Sequence, residues 1–306
     1  SVFRNYLFTE IFKEDLKDIV MSHKLNRIGQ FAFRYLVPFA LSLGISATAQ
    51  ATDWGGAIQF DGIDDFAKVA SAASLPVGNA AYTQEFWLRL DGLPDWEGVY
   101  NGFILSRGGE GPLLGNHMVV MNGYAGLTHW GLDRETTVKL PLHEWHHLAA
   151  TWDGTTEKLY FDGHELWSAA LPGPASALAV TEGSLTFGAH GNDHGYYLQG
   201  ALDEVRIWSA ARTAAQILAS YNQTVDPAST DLVGYWKFDD RDGQTLFDST
   251  SHHQDLKLGG SDQVSADDPL LFSRGGTSEI PEPASLALVG LALVGLGVSR
   301  RRKSGY

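Results

Sequence analysis

From Ala57 to Trp208 hydrophobic and polar residues alternate in short runs, broken by Gly, Asp, Asn and Pro, and no stretch keeps a long 3.6-residue period. That spacing predicts an all-β sandwich or barrel. In Tyr82–Leu90 (YTQEFWLRL), Phe86, Leu88 and Leu90 fall on one strand face and Glu85, Trp87 and Arg89 on the other. In LDEVRIW, Asp203, Val205 and Ile207 alternate with Glu204, Arg206 and Trp208, which places Asp203 and Glu204 on opposite faces. One helix follows. Thr213 and Gln216 make a T-x-x-Q capping box ahead of Ile217, Leu218 and Tyr221, and this helix is expected as a lid at the sandwich edge, without chemistry of its own.

The stretch HEWHH, His143 to His147, fits the H-E-x-x-H pattern of zinc proteases, with Glu165 at a suitable distance for a third ligand. That chemistry requires both histidines on one helical face. The surroundings predict a hairpin instead: Asp153-Gly154 and Asp162-Gly163 bracket TTEKLYF, where Leu159 and Phe161 alternate with Lys158 and Tyr160. On a strand His143 and His147 stand about 13 Å apart. No zinc is expected.

Both ends of the chain read as addresses. Residues 1–20 precede Met21 and are expected to be an upstream extension; residues 21–51 then place Lys24, Arg27 and Arg34 ahead of an apolar run from Tyr35 to Ile45. Ala47-Thr48-Ala49 and Ala49-Gln50-Ala51 supply small-x-small cleavage patterns, so 21–51 reads as a secretory signal whose helix lies outside the folded domain. At the other end Pro281, Glu282 and Pro283 lead into an apolar segment, Ala284 to Val298, and then Arg300, Arg301, Arg302 and Lys303. Fifteen helical residues rise about 22 Å, a membrane anchor if flanking side chains snorkel and the bilayer thins. The basic cluster is expected on the cytoplasmic side. This tripartite pattern over 281–303 resembles the PEP-CTERM sorting signal of Gram-negative bacteria. The resemblance implies processing by an exosortase, transient anchoring in the inner membrane through this helix, and a final location at the cell surface or outside the cell.

Between the addresses, residues 52–280 carry 31 Asp and Glu against 12 Lys and Arg. Such acidity excludes nucleic acid as the expected partner and suits divalent cations. The chain has no cysteine, so an exported domain here is held by its core or by metal, without disulfides.

Five blocks in order, FDGIDDFAKV, YTQEFWLRLDG, EWHHLAATWDGTTEKLYFDGHEL, GSLTFGAH and GALDEVRIWSAARTAAQI, resemble laminin G-like (LamG-like) domains of the concanavalin A-like superfamily. The resemblance implies a jelly-roll sandwich of two antiparallel sheets over 52–258, with its core at 57–221. The segment from Gly108 to Leu140 contains no recognised block. Residues 231–258, with a Trp-x-Phe-Asp core at Trp236–Asp239, resemble the strand segment that flanks such domains and are expected to add an edge strand rather than to be the stub of a second repeat. Residues 259–280, rich in Gly, Ser and Asp, read as a linker.

Two kinds of site are expected. Asp61, Asp64 and Asp65 crowd the first turn and Asp203-Glu204 opens a later strand; of these, Asp61, Asp65, Asp203 and Glu204 are taken as the hard oxygens that calcium requires, against the alternative that they are turn aspartates. His194, Tyr196 and Tyr197 are expected on a loop, HGNDHGYY, that offers aromatic and polar groups of the kind that carry binding on a rigid sandwich. Nine tryptophans are present, of which Trp87, Trp145, Trp152, Trp208 and Trp236 fall in strand patterns and read as packing. Glycosidases of this fold resemblance set carboxylates on one strand face, and a retaining pair stands about 5 Å apart. No Glu in 52–280 lies two residues before an Asp. The expectation is therefore a non-enzymatic surface or matrix protein that binds glycan or protein, the alternatives being a glycoside hydrolase of the same fold or a purely structural matrix protein.

Overall fold

The computed structural model describes residues 54–69, 72–95, 98–171, 177–191, 195–239, 243–259 and 263–274. The expected signal segment, the expected C-terminal anchor segment and the sorting residues Pro281 to Pro283 and Arg300 to Arg302 lie outside them. No helix among the described residues is long and apolar enough to cross a membrane.

Among the described residues sixteen strands appear in chain order: β1 (Gly56–Asp61), β2 (Ala67–Val69), β3 (Tyr82–Leu90), β4 (Tyr100–Gly108), β5 (Gly115–Met121), β6 (Tyr124–Thr128), β7 (Asp133–Lys139) and β8 (Trp145–Trp152). They continue with β9 (Thr156–Phe161), β10 (His164–Ala170), β11 (Leu185–Phe187), β12 (Gln199–Trp208), β13 (Leu232–Trp236), β14 (Thr245–Leu246), β15 (Leu256–Leu258) and β16 (Leu270–Ser273). A single described helix, α1 (Ala214–Ser220), follows β12. The first sheet runs β10-β9-β8-β3-β12-β1-β16, with β13 beside the second half of β12. The second runs β14-β15-β2-β11-β4-β5-β6-β7. The paired strands are antiparallel throughout, as a jelly-roll sandwich requires.

The core lies where the alternation predicts. Phe86, Leu88 and Leu90 meet Ile58, Phe60, Leu148, Leu202, Val205 and Ile207 of their own sheet and Leu105, Met118, Val120, Leu127, Leu185 and Phe187 of the other, all buried. Each such side chain contributes about 1.5–3 kcal/mol when fully removed from water. The hairpin read from HEWHH is present. Asp153 Oδ1 accepts from the amides of Thr155 and Thr156 at 2.8 Å, closing the turn between β8 and β9. Asp162 and Gly163, at φ 47° and 79°, make the two-residue turn into β10. Asn122 and Gly123, at φ 51° and 79°, do the same between β5 and β6, inside the segment that contained no recognised block.

Four expectations are corrected. First, α1 does have its capping box on Thr213 and Gln216, but it lies on the outer face of the first sheet, where Ile217 packs on Ala149 and Tyr160. Second, residues 231–258 supply more than one edge strand: β13 joins the first sheet opposite Val205–Trp208, and β14 and β15 extend the second sheet beyond β2. Third, the expected linker 259–280 contains β16, which pairs with β1 in the register Gly56↔Ser273 to Gln59↔Leu270. Fourth, the alternation of β12 is broken by a bulge. Asp203 faces Trp87 and Arg206 faces Glu85, leaving two β12 residues opposite Phe86 alone. Glu204 absorbs the extra length at φ 51°. Asp203 and Glu204 therefore both serve the outer face, while Val205 joins Leu202 and Ile207 in the core.

Candidate functional site

Asp61 closes β1 and opens the turn to β2. Its Oδ1 accepts from the Ile63 amide at 2.7 Å, and Asp65 Oδ2 accepts from the Asp61 amide at 2.8 Å. These bonds fold the turn back so that oxygens of Asp61, Asp64 and Asp65 all lie within 4.8 Å of one another. Asp65 is buried, and burial pushes its carboxyl up to about 6, with the charges of Asp61, Asp64 and Asp268 adding against the bond from Asp61. Three converging carboxylates, one of them reluctant to stay charged alone, fit a hard divalent cation. The donor set differs from the expected one, since Asp64 joins Asp61 and Asp65 while Asp203 and Glu204 do not. Asp61 faces Gln199, and Asp203 lies four residues further along β12, about 13 Å away.

Asp203 and Glu204 are instead spent on cations of the chain. Asp203 Oδ2 accepts from Arg274 Nη1 at 2.8 Å. Glu204 accepts from Arg206 Nη2 at 2.5 Å and from the Tyr235 hydroxyl. Beside them Glu85, wholly buried, accepts from Arg212 Nη1 at 2.8 Å and Trp208 Nε1 at 2.9 Å. Burial opposes charge on Glu85, but Arg206, His147 and Arg212 outweigh it and hold its carboxyl below the usual range. His147 has burial as its main influence and is pushed down to about 4. The histidines of HEWHH go to separate partners: His143 Nδ1 lies 3.5 Å from Asp91, His146 Nδ1 lies 2.9 Å from Asp162, and His147 Nε2 lies 3.7 Å from Glu85. They line no shared metal position.

A second arrangement occupies the outer face of the second sheet. Because Met118 and Val120 face the core, His117, Val119 and Met121 face outward, opposite Ser106 and Phe103. The loop after β11 covers them. Tyr196 meets the ring of Tyr100 at 5.4 Å and of Phe103 at 5.6 Å, while His190 meets Phe103 at 4.9 Å and Trp130 at 5.7 Å. Ser106 Oγ lies 2.8 Å from His117 Nδ1 and accepts from the Gly191 amide at 3.1 Å, which ties the loop down. Burial, helped by the charges of His190, His129 and Arg107, holds His117 well below the ordinary histidine range. Trp130 is 37% exposed. Both Trp130 and Tyr196 sit at φ 55°, a left-handed conformation that bulky residues rarely adopt and that recurs at ligand clamps.

The expected loop residues divide. Tyr196 joins the aromatic patch; burial, with the charges of Asp64 and Asp267 adding, holds the hydroxyl of Tyr197 above the usual tyrosine range. His194 lies outside the described residues. Gln199, two residues beyond Tyr197, pairs with Asp61, so the loop ends at the aspartate turn. His190 opens the loop read from the sequence, whereas Tyr100 and Trp130, its neighbours in the patch, come from segments in which no binding residue was expected.

Two antiparallel sheets packed face to face, in this strand order, define a concanavalin A-like sandwich. The family model of the concanavalin A-like lectin/glucanases superfamily matches residues 61–218, and the chain belongs to that superfamily. The PEP-CTERM protein-sorting motif matches residues 279–303, which marks the chain for exosortase-dependent sorting to the cell exterior. No curated protein matches it. Among solved structures, it is similar to a provisionally assigned carbohydrate-binding protein of Bacteroides ovatus ATCC 8483, at 21% identity and TM-score 0.51, covering 71% of this chain and 61% of that one. It is similar also to the heptameric SAP-like pentraxin of Limulus polyphemus, at 15% identity and TM-score 0.46, covering 68% and 95%. A third is domain 4 of the GH43 extracellular arabinanase AbnA of Geobacillus stearothermophilus, solved with arabinotriose, at 19% identity and TM-score 0.39, covering 50% and 71%. The chain spans 61% of the length of the Bacteroides protein, and at these identities the likeness is one of fold.

Proposed function

We propose that the chain is an exported cell-surface or extracellular-matrix protein whose sandwich binds a glycan without transforming it. The observation that carries this reading is the pair of left-handed aromatics, Trp130 and Tyr196, held at the surface of one patch with Tyr100. Sugar rings offer C–H faces that stack on such rings. A calcium ion at Asp61, Asp64 and Asp65 would fix the turn at which the loop ends and so the segment that carries Tyr196. A glycan array on the purified protein tests the reading, together with melting in calcium and in chelator. Binding of a defined glycan class, weakened by Trp130→Ala, is expected; release of reducing sugar from the bound glycan would replace binding by hydrolysis.

A further inference from the structure

Arg274 is the last residue of the described chain, one position beyond β16 and five before the sorting motif begins at 279. Its guanidinium stands 4.0 Å from the ring centre of Trp145, 4.7 Å from Trp87 and 5.0 Å from Trp54. Its Nη1 donates to Asp203 Oδ2 at 2.8 Å, and Asp203 is wholly buried. Asp203 Oδ1 is buried too, with no hydrogen-bond partner among the described residues. Three indole faces around one carboxylate form a cage for a cation, and a planar guanidinium stacks and pairs there better than an ammonium. Besides this cage the strand is held by its ladder to β1, by the Arg274 amide on Gly55 O at 3.0 Å and by Phe272 under the Arg89 guanidinium at 5.3 Å. It has four residues, Leu270 is 70% exposed, and Leu271 is its contact with the main core.

We propose that Trp54, Trp87, Trp145 and Asp203 form a receptor for a single guanidinium group, filled in cis by Arg274, and that this side chain decides whether β16 stays zipped to β1. The bulge in β12 is part of the device, because it keeps Asp203 on the outer face beside Trp87. With Arg274 seated, the sorting segment is rooted on the sheet. With it displaced, five more residues peel away and the segment gains about 17 Å of reach. An exposed guanidinium, such as an arginine side chain of another protein or an alkylguanidinium, is the ligand class that would compete.

The test uses the full chain in detergent, with methylguanidinium as the probe and sodium chloride at equal ionic strength as the control. In Arg274→Ala, amides of 270–274 are expected to exchange about ten-fold faster or more, while those of β3 and β12 are unchanged. Millimolar methylguanidinium then raises the melting temperature saturably and quenches tryptophan fluorescence, without restoring protection to β16, since the bound cation no longer tethers the strand. Arg274→Lys keeps the charge and serves if the alanine variant does not fold; there methylguanidinium displaces the lysine and speeds β16 exchange saturably. Wild-type exchange at β16 in these variants, or methylguanidinium acting only as sodium chloride does, would overturn the proposal.

Discussion

Asp203 and Glu204 are adjacent in sequence yet project to the same face of the first sheet, Asp203 toward Arg274 and Glu204 toward Arg206. The bulge makes this so, and it requires Glu204 at φ 51°. Glycine there would relieve about 1–2 kcal/mol of left-handed strain. It would also remove charged bonds from Arg206 and Tyr235, worth about 1.5–3 kcal/mol each. The second effect is larger, so Glu204→Gly is expected to destabilise by about 2 kcal/mol in urea unfolding, against the direction that backbone strain alone would give.

The buried acid and base pull stability in opposite directions with pH. Asp65 has its carboxyl raised from 3.8 to about 6, so the folded state binds the proton more tightly; stability from this group is full below 3.8 and is lost as pH rises through 6. His147 is lowered from 6.5 to about 4, so its contribution is present above 6.5 and is lost as pH falls through 4. Asp65→Asn is therefore expected to melt higher than wild type at pH 7.5 in chelator, with the difference closing toward pH 4. If calcium occupies the turn, millimolar calcium raises the wild-type melting temperature at pH 7.5 and leaves the asparagine variant unmoved.

What could be read from the chain followed local rules. The period-2 run between two Asp-Gly pairs placed β8 and β9, and the Thr213–Gln216 spacing placed the start of α1, because turns and caps are decided by neighbouring residues. The bulge was not legible, since LDEVRIW alternates perfectly as written and only pairing with β3 reveals two residues opposite Phe86. β16 was hidden for a related reason. Four residues in a Gly- and Asp-rich stretch carry too little pattern, and what recruits them is the open edge of β1, more than two hundred positions earlier. Asp61, Asp64 and Asp65 crowd one turn in the sequence itself, whereas Asp203 and Glu204 answer to Arg274 and Arg206, partners that no local pattern around Asp203 could reveal.

The cap on α1 offers a test of how that helix is held. Thr213 Oγ1 accepts from the Gln216 amide at 3.3 Å, and the Thr213 amide donates to Gln216 Oε1 at 2.8 Å. Thr213→Ala is expected to cost about 1 kcal/mol, the usual value of an N-cap. Loss of the helix would also uncover the Ala149–Tyr160 surface beneath Ile217. A larger loss, with fast exchange confined to 213–223, would show that seven helical residues depend on their cap as well as on packing.

Trp130 separates binding from folding. It is 37% exposed, its ring contacts His190 at 5.7 Å, and it lies in the turn between β6 and β7, outside the main core. Nearly two-thirds of its surface is buried, so Trp130→Ala is expected to lower stability by about 2 kcal/mol while the main core keeps the sandwich folded, and binding is then compared well below the melting temperature. Residue 130 would also lose an aromatic forced to φ 55°, a strain that alanine shares and glycine does not. For a glycan identified on the array, titration calorimetry should show affinity falling about ten-fold or more in both Trp130→Ala and Trp130→Gly, the loss expected for a central aromatic contact. Equal loss in the two variants assigns the effect to the ring; loss in alanine alone assigns it to the backbone, and unchanged affinity in both removes Trp130 from the site.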